Sequence, residues 1–167
     1  MKPFKKILFP VDLSDVSPKI APWVIMVAEK FEAQICLLFV TRTFEHLNTL
    51  YNFPNPYSTT VVINDFVSGV IKGAEAKMEE FAKTDLRECS HYKTKVASGD
   101  PAHEILDYIT SEDIDLVIMG THGRKGLDRV LFGSVADRVV KMSPVPVLTI
   151  NPHRVRAKET ETPSSKG

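Results

Sequence analysis

Five short apolar runs alternate with segments of helical periodicity, and that alternation restricts the chain to a parallel sheet wrapped by helices. The first run, Ile7-Leu8-Phe9-Pro10-Val11, is apolar without a break, as a strand buried on both faces must be. Ser17-Pro18 then supplies a capping hydroxyl and a proline at the first helical position, and Ile20, Val24, Val27, Ala28 and Phe31 recur on one helical face. Pro22 is expected to kink the first turn of that helix. Residues 34–41 are rich in β-branched and aromatic side chains and form the second predicted strand.

Residues 42–63 hold Asn52, Pro54, Asn55 and Pro56 among the aromatics Phe44, Tyr51, Phe53 and Tyr57, with no sustained period, which predicts a long loop or lid. From Asn64 or Asp65 to near Cys89 a helix is expected, with Val67, Val70, Ile71, Ala74, Met78, Phe81 and Ala82 on one face. A third strand is read at 92–97, a helix starting at Asp100-Pro101 buries Ile105, Leu106 and Ile109, and a fourth strand is read at 115–119. The last helix covers 134–142 and the last strand 144–150. Pro144 and Pro146 cannot donate to a sheet ladder, so this strand belongs at an edge or against another chain.

The fold class that follows is α/β: a single-domain, doubly wound, five-stranded parallel sheet of Rossmann type with helices on both faces. The domain is expected to cover residues 1–153, and 154–167, which has no apolar period, to be a disordered tail. Sheets of this kind bind ligands at the carboxyl ends of their strands, where strand order reverses, so the loops after Val11, Val40 and Met119 are the candidates.

The loop after the fourth strand, 120–134, concentrates four of the chain's eight glycines, at 120, 123, 126 and 133. Glycine permits positive φ and close backbone approach, and inward-facing N–H groups at a helix start suit phosphate oxygens. Ser134 adds a hydroxyl, and His122, Arg124, Lys125 and Arg129 add positive charge that the overall balance conceals, since Lys plus Arg and Asp plus Glu both number 21. That balance excludes a general attraction to nucleic acid or to an anionic membrane. Neither a Walker A sequence nor G-x-G-x-x-G is present, which disfavours P-loop and dinucleotide chemistry.

Gly120-x-x-Gly123, nine further residues and Gly133-Ser134 resemble the G-x-x-G-x9-G-[ST] ATP-binding signature of the universal stress protein family. Residues 7–14 resemble that family's first strand and its acidic residue, 115–120 its fourth strand and 144–148 its last, so the likeness spans 4–151. The resemblance implies a sheet of the adenine-nucleotide alpha-hydrolase type that binds ATP, with Mg²⁺ held mainly by phosphates and water. It also implies that Gly123, Gly133 and Ser134 hold the phosphates with the Val135 N–H. Asp12 and Val40 would border adenine and ribose, Pro10 and Val11 would also belong to the nucleotide site, Met119 and Gly120 would close the pocket floor, and His122 would reach phosphate or ribose. Taken alone, Asp12 also reads as a loop cap, Val40 as a strand-end core residue and His122 as an exposed histidine. No catalytic residue and no protein-held metal site is assigned, and the resemblance implies a homodimer paired through 144–150.

The favoured expectation is a nucleotide-dependent regulatory module of the stress response that an unidentified protein partner reads. A slow ATP-hydrolysing enzyme, with Asp12 or His122 activating water weakly, and a dimeric scaffold without nucleotide are the alternatives. Cys36, inside an apolar run, is read as a buried, inert thiol. The short run 7–11, broken by Pro10, is no signal segment and no run reaches spanning length, so a cytoplasmic location is expected.

Overall fold

A strand that is apolar on both sides of its pleat is stable only between two layers of helices, and the central strands meet that condition. The computed structural model describes residues 3–42, 56–121 and 133–152, with the backbone alone for 56–66. Strands β1 (Lys6–Val11), β2 (Gln34–Thr41), β3 (Tyr92–Ser98), β4 (Leu116–Gly120) and β5 (Val147–Ile150) form one parallel sheet in the order β3-β2-β1-β4-β5. Ile7, Leu8 and Phe9 of β1 and Ile35, Cys36 and Leu37 of β2 are wholly buried. This is the expected doubly wound α/β architecture, and its strand order reverses between β1 and β4.

Helices α1 (Ser17–Phe31) and α2 (Pro56–Asp85) cover one face, and α3 (Pro101–Ser111) and α4 (Ser134–Met142) cover the other. The alternation of side chains along each strand divides the core accordingly. Ile7, Phe9, Val11, Ile35, Leu37 and Ile118 pack with Ile20, Val24, Met78 and Phe81 from α1 and α2. Leu8, Cys36, Leu38, Val117 and Met119 pack with Ala102, Ile105, Ile109, Ala136 and Val139 from α3 and α4. Burial pushes the Cys36 thiol pKa up, which keeps it protonated and suits its reading as an inert core residue.

Several boundaries differ from expectation, each for a local reason. α2 begins at Pro56, so the last eight residues of the segment read as a loop, 56–63, are helical, and it ends at Asp85, short of Cys89. Proline at the first helical position costs nothing, because that N–H has no intrahelical partner. The rest of the aromatic segment, 43–55, lies outside the described residues, as does the tail 154–167. Ser17 does not cap α1: the N-cap is Val16, with no side-chain cap bond, and the Ser17 hydroxyl is directed elsewhere. Pro22 lies within α1. β5 starts at Val147, where N–H groups resume after Pro146, although the Pro146 carbonyl still accepts from Val117 N at 3.0 Å. β4 starts at Leu116, although the Asp115 N–H still donates to the Lys6 carbonyl at 2.9 Å while its carboxylate accepts from the Lys5 and Lys6 N–H groups at 2.8 and 2.9 Å. Among the described residues no helix is long and apolar enough to cross a membrane.

Candidate functional site

The register brings the ends of three strands to one level. Val11 pairs with Phe39, so Asp12 and Val40 stand one residue beyond that pair on adjacent strands, next to the carboxyl end of β4. Met119 is buried in the α3/α4 layer, and Val40 and Val135, both half-buried, pack against the same cluster. Pro10 pairs in register with Leu38, a member of that cluster. Val11 departs from this set: its side chain is buried among the α1/α2 residues, so only its backbone is available on the site side.

The start of α4 is fastened to the strand ends through Thr121. Its N–H donates to the Ile150 carbonyl at 2.9 Å, and its own carbonyl accepts from Gly133 N at 2.7 Å. Residues 122–132, which include His122 and Gly123, lie outside the described residues, yet the chain on either side of them is held together by that short bond. Gly120 closes β4 opposite Ile150.

Gly133 is the N-cap of α4, with φ −66° and ψ 155°, and makes no side-chain cap bond. Those angles are open to any residue, so backbone strain does not demand glycine here. A Cβ at this position would lie 3.4 Å from the Thr121 carbonyl oxygen, a contact within ordinary reach. What glycine does provide is a helix start with no side chain across it. The first intrahelical bond runs from Asp137 N to the Gly133 carbonyl at 2.9 Å, leaving the Ser134, Val135 and Ala136 N–H groups ahead of it. Ser134 is exposed beside them.

The contrast with α3 is instructive. There Asp100 caps the helix with its own carboxylate, accepting from His103 N at 2.9 Å and from Arg138 Nη1 at 2.8 Å. The His103 N–H bond, followed by the Arg138 charge, holds the Asp100 pKa below the usual carboxylate range. α3 thus carries an internal anion at its N-terminus, whereas α4 begins on a bare glycine and is suited to an external one. Arg138, from the second turn of α4, ties the two helix starts together.

Asp12 follows the last residue of β1 in the strand-end layer, and its Oδ1 accepts from Ser14 N, Ser14 Oγ and Ser17 Oγ. Among the described residues no group of three or more His, Cys, Asp or Glu is placed to hold a metal ion. A carboxylate, a half-buried apolar patch and a bare helix N-terminus around a topological switch point are groups of the kind that a nucleotide would need. The apolar patch would meet a base, the carboxylate a sugar and the helix start a phosphate.

The sequence model of the universal stress protein family matches residues 3–151. The chain belongs to the universal stress protein family. A relative from Methanocaldococcus jannaschii, universal stress protein MJ0531, is 33% identical over 149 residues, covering 88% of this chain and 82% of the relative. The solved structure of MJ0577 superposes with a TM-score of 0.76 at 28% identity, covering 93% of this chain and all of the other. A universal stress protein from Archaeoglobus fulgidus, solved in complex with dAMP, superposes with a TM-score of 0.59 over 90% of this chain and 100% of its own; at 14% identity the likeness is one of fold. Ser14, Ser17 and Thr121 had no place in the sequence reading of the site. The first two could have been found from the spacing Asp-x-Ser-x-x-Ser, which lets an aspartate accept from hydroxyls two and five residues on.

Proposed function

We propose that this universal stress protein is a regulatory module that binds ATP across the β1/β4 switch point. The observation that carries the reading is the start of α4, which opens on Gly133 without a side-chain cap and is anchored by a 2.7 Å bond to the Thr121 carbonyl, beside the Asp12 end of β1. In this arrangement Ser134 and the Val135 N–H hold phosphate oxygens with Gly123 and Gly133, and His122 lies close to them in sequence. Val40, Met119 and Pro10 border the adenine, with Gly120 at the floor, while Asp12 meets the ribose. Mg²⁺ fits this donor set as an ion held chiefly by the phosphates and water. The dAMP complex of the distant relative supports an adenine nucleotide as the ligand class.

The direct test is to incubate the protein with Mg-ATP, remove free nucleotide, denature and identify what is released by mass. ATP recovered intact marks a holding module, and ADP or AMP marks slow hydrolysis. With ATP at a hundredfold excess over Kd, the folded state gains about 2.7 kcal/mol, read as a rise in Tm. No released nucleotide together with an unchanged Tm would leave only the scaffold reading.

A homodimer through β5 belongs to the same proposal. Among the described residues β5 has a sheet neighbour on one side only, and Leu148 on it, with Val140 and Met142 on α4, is 41% exposed or more. A second copy laid against that edge would pair its backbone and cover these side chains. Leu148→Lys is expected to convert a dimer into a monomer in light scattering, and a monomeric parent protein would count against the interface. The cytoplasm is the compartment proposed for this module, where ATP is available to it.

A further inference from the structure

Three hydrogen-bond donors converge on one oxygen at the end of β1. Asp12 Oδ1 accepts from Ser14 Oγ at 2.6 Å, from Ser14 N at 3.1 Å and from Ser17 Oγ at 3.1 Å. The Ser14 N–H bond closes an Asx-turn. Leu13 inside that turn has φ 55°, a left-handed conformation that a leucine adopts only when its surroundings enforce it. Its side chain packs against the α1/α2 core, which supplies the enforcement.

Ser17 adds a second peculiarity. It is 3% exposed at the first position of α1, one residue past the N-cap Val16, where its hydroxyl is no longer at the capping position. Here the hydroxyl donates to the carboxylate instead. A strained turn and two hydroxyls therefore hold one carboxylate in a single orientation at the mouth of the candidate site. Both oxygens of an ionised carboxylate accept hydrogen bonds, so fixing Oδ1 from the helix side also fixes the direction in which Oδ2 accepts.

We infer that Ser14 and Ser17 are positioning residues that hold Asp12 as a reader of ribose hydroxyls, so that the site prefers ribonucleotides to 2′-deoxyribonucleotides. The inference rests on the nucleotide-binding reading above. A site built to accept from a hydroxyl rejects the ligand that lacks it, because the acceptor has been desolvated without return. A carboxylate free to rotate would instead swing to water when the deoxy ligand binds, and most of the discrimination would vanish. Orientation, rather than charge, is what the two serines contribute.

The test compares ATP with 2′-deoxy-ATP by calorimetry on the whole chain. The parent protein is expected to bind ATP about tenfold more tightly or better. Ser17→Ala and Ser14→Ala should each reduce that ratio by about threefold or more, and Asp12→Asn should bring it close to one. Ser134→Ala should weaken both ligands alike and leave the ratio intact, since it acts on phosphate. If Ser17→Ala fails to fold, Ser14→Ala, at a half-buried position, decides the matter. Equal binding of the two nucleotides by the parent protein, or serine variants that weaken both equally, would overturn the inference while leaving the nucleotide site standing. Absence of binding by either nucleotide would overturn the functional reading itself.

Discussion

Gly133→Asp is expected to cost ATP affinity at least about a hundredfold while leaving the protein folded and no less stable. The two effects come from the same atoms. At φ −66° and ψ 155°, position 133 already has the extended backbone of an N-cap, and aspartate is among the best capping residues. Its carboxylate would accept from the N–H groups of the first turn and complement the helix dipole, worth a few tenths of a kcal/mol over glycine. That is the arrangement Asp100 already provides for α3. The same carboxylate would occupy the place proposed for phosphate and repel it. Two unit charges about 4 Å apart at an effective dielectric of 20 repel by about 4 kcal/mol, which is ample for a hundredfold loss. Gly133→Ser, a neutral cap, should lose much less, and Gly133→Ala least. Calorimetric titration with Mg-ATP, paired with melting of the apo protein, reads both quantities. An aspartate variant that binds ATP as the parent does would place the phosphates away from α4.

Strands β1 and β2 could be read from sequence because burial on both faces leaves a continuous apolar run that no amphipathic segment imitates. Ile35, Cys36, Leu37 and Leu38, at most 1% exposed, are such a run. The start of α2 was harder. Thr59, Thr60, Val61, Val62 and Ile63 are β-branched residues of low helix propensity, and they obscured a helix start that Pro56 marks as Pro101 marks that of α3. The apolar run at 144–150 revealed β5 but not its boundary, because the two prolines disrupt only the donor side of the ladder.

At the candidate site, the sequence draws attention to residues whose type is unusual in its place: clustered glycines, of which Gly123 and Gly126 lie outside the described residues, and an aspartate following an apolar strand. Those that escaped notice act through ordinary groups. Thr121 fastens α4 through its backbone N–H and carbonyl, and Ser17 looked like a helix cap because spacing does not reveal which acceptor a hydroxyl chooses. Val11 was grouped with the site by its position in the chain, yet strand alternation turns its side chain to the opposite layer.

Phe9→Ala is expected to carry the largest cost in stability, about 3–5 kcal/mol. Phe9 is fully buried at the middle of the central strand β1, between Ile7 and Val11 on the α1/α2 side. Its ring meets Phe81 of α2 at a centroid distance of 6.2 Å and a tilt of 57°, so it joins the sheet to the longest of the described helices. Removal leaves a cavity lined by strand residues that cannot close without disturbing their ladder. Domains of this size are stable by about 5–15 kcal/mol and lose about 2–4 °C in Tm per kcal/mol, so a fall of about 10 °C should appear in thermal melts. Trp23→Ala, which removes a larger side chain that is 40% exposed on α1, should cost much less. Nucleotide affinity provides the sharper reading. Asp12 is held by Ser14 and Ser17, and α4 by Thr121, none of which depends on the Phe9 ring for its hydrogen bonds. The variant that remains folded should therefore bind ATP within about threefold of the parent, a change of less than about 1 kcal/mol. A much larger loss would mean that the sheet core, rather than the local hydrogen bonds, holds the site in shape.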